Sequence, residues 1–171
     1  MSHHRVDAIS GQLPQRVILG LVSNKDYNGD MKTTPFNFQH FNTVGVQLVV
    51  NGTGVPTRRF EPVWSDKNAG VQVAREYASL FQATHKMNTD SGLPISYKWY
   101  QKGGYCLYAF SLSTHDSDGI NFFGMIQNGS VNVELQFNTA LAETVSCILY
   151  AEYANILEIN EDMMASFDYK A

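Results

Sequence analysis

The sequence predicts an all-β fold, an antiparallel sandwich with short helices in its loops, and three observations predict it. The first is strict alternation: Val131, Val133, Leu135 and Phe137 fall on one side of a run, and Asn132, Glu134, Gln136 and Asn138 on the other, the pattern of a half-buried strand. The second is a set of strand-length apolar runs bounded by turn formers, of which "TVGVQLVV", 43–50, closed by Asn51-Gly52, is the clearest. The third is the scarcity of helical periodicity. Only 73–84 and 95–104 carry it, too little for the crossover helices that a parallel sheet requires.

Taken in order, the elements are these. Residues 1–10, "MSHHRVDAIS", show no apolar alternation and read as an N-terminal extension, open to disorder. The same stretch lacks the apolar centre of a signal peptide, so the chain is expected not to be secreted. "RVILGLV", 16–22, is a strand. "DYNGD", 26–30, offers Asp26, Asn28 and Asp30 at alternating positions, but a calcium loop wants Gly sixth and Glu twelfth, where Met31 and Asn37 stand. A polar turn is the reading left. In "PFNFQHFN", 35–42, an extended backbone would put Phe36 and Phe38 on one face and Asn37 and Gln39 on the other.

After strand 43–50 and its turn, Val73, Tyr77, Leu80 and Phe81 form one apolar stripe, so 73–84 is a short amphipathic helix. "ISYKWYQKGG", 95–104, fits one or two helical turns capped by Ser96 and ended by Gly103-Gly104. "YCLYAFSL", 105–112, is a further strand. "SCILYAEYANILEI", 146–159, is apolar almost throughout and is expected to lie deep in a sheet. All of 1–171 fits one domain, large enough to bury a core without staples.

Composition and motifs narrow the function. A net charge of −4 carries no basic field for nucleic acid, and no run of about 18 apolar residues spans a membrane. Cys106 and Cys147 sit in strand-like runs and read as buried free thiols. "STHDSDG", 113–119, gathers His115, Asp116 and Asp118, yet no second His-rich motif completes a ligand set, so the expectation is a loop without metal. Asn51-Gly52-Thr53 and Asn128-Gly129-Ser130 fit the glycosylation pattern and fit turns better. No Gly-x-Ser-x-Gly elbow and no glycine-rich phosphate loop is present, and the carboxylates Glu143, Glu152, Glu158, Glu161 and Asp162 are scattered. The expectation is a protein with no catalytic residues, no cofactor and no metal.

Against this background "GQLPQRVILGLVSNKDYNGDMKTTPFNFQHFN" resembles the major capsid proteins of Polinton (Maverick) elements and their relatives the adintoviruses. Gly11 to Pro14, Tyr27 to Gly29 and Pro35 to Asn42 match that family's segments in order, with Thr34 in place of an Asn and Tyr27 in place of a Phe. "YASLF", "GGYCLYAFSLS" and "GSVNVELQFNTALAETVSCILYAEYANILEI" extend the likeness, which runs over residues 11–169 to the closing "FDY". "LYAEYANILEI" is also similar to the last strand of large-DNA-virus capsid proteins, with Ala154 interposed before Asn155.

The resemblance implies an eight-stranded jelly roll, corresponding to the C-terminal roll of a two-roll capsid chain. The first roll is missing here, and "THDSDG" departs from the family's Thr-Pro-Asp stretch. It further implies a capsid or capsid-like structural subunit of a virion, made in a host cell and self-associating as a trimer or larger, with other capsid subunits as further partners. The amide face, Asn37 and Gln39 with His40, is then the candidate interface. The alternative is a jelly-roll module that binds carbohydrate or protein, with Trp64 and Trp99 as stacking platforms.

Overall fold

A computed structural model describes residues 2–64, 71–87, 89–90, 92–112 and 125–167. The strands are β1 Ser2–Gln12, β2 Arg16–Ser23, β3 Thr43–Val50, β4 Thr53–Phe60, β5 Leu107–Ser111, β6 Asn128–Phe137, β7 Val145–Glu152, β8 Leu157–Ile159 and β9 Ala165–Phe167. The helices are α1 Asn24–Tyr27, α2 Ala74–Ala83 and α3 Tyr97–Lys102. One sheet has the order β1-β6-β3-β4 and the other β5-β2-β7, with every pairing antiparallel. β1 lies against β6 and β2 against β5, the nested pairing of a jelly roll.

The all-β antiparallel sandwich with short helices in its loops is thus the observed architecture. Its strand inventory differs from the expected eight. Among the described residues seven strands make the two sheets, and β8 and β9 pair with each other as a separate hairpin.

The alternating residues of β6 explain the core. Val131, Val133, Leu135 and Phe137 are buried and meet Val46 and Leu48 of β3, Val17, Leu19 and Leu21 of β2, and Tyr108 and Phe110 of β5 in one cluster. The sheets touch through the Phe60 and Phe110 rings, 5.3 Å apart, and through a 2.7 Å hydrogen bond between the hydroxyls of Thr43 and Tyr108. Between β3 and β4, Asn51 and Gly52 take φ of 50° and 83°, as the tight hairpin turn demands. α2 closes the side of the sandwich where β4 and β5 end the sheets. Val73, just before it, and its own Leu80 are buried, while Arg75 lies over the Phe60 ring and donates to the carbonyls of Arg58 and Arg59. α3 is capped as its sequence implies, with the Ser96 hydroxyl accepting from Trp99 N–H at 3.2 Å.

Two readings are corrected. Residues 2–10 belong to β1, which pairs with β6 along nearly its whole length. No alternation marked it, because most of its side chains are exposed on both faces. It is held by the ladder and by a polar lattice: the Asn132 amide donates to Asp7 and accepts from Arg5, each at 2.7 Å, and Arg5 lies 3.8 Å from Glu134. The run 146–159 is not a deep strand. Among the described residues β7 is an edge strand, the backbone leaves the sheet at Tyr153, and all of β8 is exposed.

Candidate functional site

The segment 35–42 is a looped clasp, not an extended strand. Asn37 N–H donates to the Thr34 carbonyl, and Phe41 and Asn42 take positive φ of 44° and 53°. The chain then stitches itself across the ends of β2 and β5. Phe38 N–H donates to Gly104 O at 2.9 Å, Cys106 N–H to Phe38 O at 3.1 Å, and Gln39 N–H to Leu21 O at 2.9 Å.

This geometry overturns the two-faced reading. Phe38 covers Gly20, where a Cβ would stand 2.5 Å from its ring, whereas Phe36 is 73% exposed. The predicted partners on the inner face are therefore split between contact and solvent. The reason is the turn at Pro35-Phe36, which destroys period two.

The candidate interface residues Asn37, Gln39 and His40 are half-buried and engaged within the chain. Gln39 Nε2 donates to Asn37 Oδ1 at 2.5 Å, and Asn37 Nδ2 reaches Asp26 Oδ2 at 3.5 Å. The His40 ring stacks on Trp64 at 4.2 Å with 10° between planes, and its Nδ1 accepts from Asn42 N–H at 3.0 Å. Burial holds the His40 ring below the ordinary histidine value. These side chains brace the clasp.

The other sequence candidates are placed as follows. Asp30 closes a local turn, accepting from Lys32 N–H at 2.9 Å and pairing with Lys25 at 3.0 Å. The Lys32 N–H and Lys25 together lower its pKa. Among the described residues no three His, Cys, Asp or Glu side chains gather into a metal-sized group. The cluster His115, Asp116 and Asp118 lies outside the described residues. Glu143 accepts from Ser23 and Glu152 pairs with Arg16 at 2.6 Å, so those carboxylates tie loop and strand together. Both cysteines are free. Burial pushes Cys106 up to about 12 and Cys147 up to about 11. Trp64 donates to Thr43 O at 2.9 Å beneath His40, which removes it as a stacking platform, whereas Trp99 is half-exposed and stacks on Tyr105 at 5.7 Å.

Two surfaces escaped the sequence reading. One is the C-terminal arm, 153–164, where Tyr153, Ile156, Leu157, Ile159, Met163 and Met164 are all exposed. The other is the outer edge of β7, with Tyr150 58% exposed beside it. The apolar composition of 146–159 was the available signal, and burial inside a sheet and exposure on an arm write it identically. An open slot of about 210 Å³ between β4, α2 and β5 is lined mainly by Val55, Pro56, Phe60, Ala83, Ala109 and Phe110.

No family model matches the chain, and no solved structure matches it. The chain is similar to a Caenorhabditis elegans protein named "Uncharacterized protein F54H12.2", with 28% identity over 153 residues, 88% of this chain and 35% of that protein. It therefore spans about a third of the length of the relative it matches.

Proposed function

We propose that the chain is a structural, capsid-like subunit that assembles through copies of its jelly-roll sandwich. The observation that carries this reading is the C-terminal arm. Its large apolar side chains stand in solvent over a stretch of twelve residues, 153–164, and Met163 is 89% exposed. Contiguous exposed apolar surface of this kind marks a site of association. The resemblance of residues 11–169 to the capsid proteins of Polinton elements and adintoviruses supports the same reading.

Sedimentation and negative-stain microscopy of the purified chain test it. The expected result is a closed oligomer whose mass falls when Leu157 and Ile159 are replaced by Lys while the fold persists, since the arm lies outside the core. A chain that stays monomeric at the highest soluble concentration would remove the reading.

Carbohydrate binding is the second reading, favoured by the exposed Trp99–Tyr105 stack. Aromatic faces of this kind suit apolar sugar surfaces. Glycan-array binding abolished by Trp99→Ala would place function there.

A further inference from the structure

We propose that the outer edge of β7 pairs, antiparallel and about a two-fold axis at Ile148, with β7 of a second copy. The inference rests on the self-assembly reading above and adds a second contact surface to the arm.

The four sheet edges differ in how they are guarded. β1 carries Arg5 and Asp7 and a register break between Asp7 and Ile9. β4 carries Pro56, Arg58 and Arg59. β5 is only five residues long and α2 packs on it. Charges, prolines, bulges and covering helices are the usual means of stopping one edge from pairing with another. β7 has neither a proline nor a bulge, its one charged residue is Glu152 at its end, and the helix in contact with it is the four-residue α1. The strand runs eight residues with neither Lys, Arg nor Pro, in unbroken register with β2, and among the described residues no strand pairs with its other side.

The hydrogen-bond phase of that edge follows from bonds at both ends of β2. Asn24 N–H donates to Thr144 O, and Gln15 N–H to Glu152 O. With Ser23 opposite Val145, the bonded pairs of an antiparallel ladder then fall at Val22–Ser146, Gly20–Ile148, Ile18–Tyr150 and Arg16–Glu152. The N–H and C=O groups of Val145, Cys147, Leu149 and Ala151 point outward.

A second β7 offers the same odd-numbered groups. A two-fold at Ile148 matches them, setting Cys147 against Leu149 and Val145 against Ala151 of the other copy. On the outer face Ile148 meets its own counterpart, and Tyr150 lies opposite Ser146, which extends one apolar strip across both copies. Charge selects the same direction. Glu152 is the one charged residue of β7 and sits at its end. Antiparallel pairing carries the two carboxylates to opposite ends of the ribbon, and parallel pairing would set them side by side.

The test uses the full chain with Cys147→Ala to remove the neighbouring thiol. Ile148→Cys places two thiols at a non-hydrogen-bonded antiparallel pair, with Cα atoms about 4.5 Å apart, within disulfide reach. Mild oxidation is expected to link most chains. Tyr150→Cys puts its thiols four residues out of step, about 14 Å apart along the strands, and is expected to stay at background. Ala151→Pro removes an outward N–H without touching the bonds to β2. It is expected to weaken the dimer at least about tenfold while circular dichroism is unchanged.

A wild-type chain that is monomeric throughout would overturn the assembly reading and this inference together. An assembled wild type in which Ile148→Cys does not link, or links no more than Tyr150→Cys, would overturn this surface alone. Should Ala151→Pro not fold, the two cysteine variants decide.

Discussion

At the scale of residues the clasp 35–42 depends on contacts that single substitutions can isolate. Gly20→Ala would drive a methyl into the Phe38 ring, where a Cβ has 2.5 Å. Overpacking of this kind costs about 1–3 kcal/mol. Phe38 is half-buried, so Phe38→Ala should cost less than the roughly 3–5 kcal/mol of a fully buried ring. In the double variant the added methyl fills the vacated space. The urea midpoints are therefore expected to show a combined loss smaller than the sum by about 1 kcal/mol or more; strict additivity would separate the two residues.

His40 gives a pH test. Its folded value lies below the ordinary one, so the unfolded chain binds the proton more readily. That stability is fully present above about pH 6.5 and is lost as pH falls toward the folded value. Protonation also destroys the Nδ1 acceptor used by Asn42. The gap in Tm between wild type and His40→Gln should narrow on going from about pH 7.5 to about pH 5.5; a widening gap would contradict the burial of a neutral ring. None of these roles was legible in "PFNFQHFN". Periodicity assumes an extended backbone, and the residues that bend it, Pro35, Phe41 and Asn42, act through dihedral angles that a hydrophobic pattern does not record.

Among elements, legibility followed burial. β2, β3 and β6 are central strands whose apolar faces enter the core, and each was visible as a run or an alternation. α2 and α3 were visible through a stripe and a cap. The edges were not. β1 is polar on both faces and β4 holds Pro56 with Arg58 and Arg59; strands of this kind exist because a neighbour supplies a ladder, and their own residues say little. β7 was visible and misplaced, since apolar composition does not distinguish the middle of a sheet from its rim.

Deleting residues 2–12 tests what an inconspicuous strand contributes. β6 would become an edge, and its ten-residue ladder with β1 would be exposed. The truncated chain is expected to fold with a lower urea midpoint and to aggregate more readily in light scattering. An unchanged midpoint would mean that β1 adds nothing to the sheet.

For the whole molecule, the two thiols report on opening. Cys106 lies in the core and is raised to about 12, and Cys147 at the rim is raised to about 11. Only thiolate reacts, so at pH 8 the native chain holds the reactive form of either at about a thousandth or less. Cys147 is expected to react slowly with a thiol reagent, Cys106 only as fast as the whole sandwich unfolds, and both promptly in denaturant. Equal rapid labelling of both in the native chain would show that the sheets do not close over Cys106.

The placement of α2 has a consequence for growth. The helix packs on β5 at the side where β4 and β5 end, and among the described residues no helix of that length lies on the opposite side, between β1 and β7. A block that can be extended on both sides propagates without limit, as a fibre does, whereas a block with one plugged side stops after a single addition. The ten residues of α2 thus act as a chain terminator for the sheet. Any larger shell built from this unit must turn its corners through surfaces other than strand edges, and the exposed arm offers one such surface.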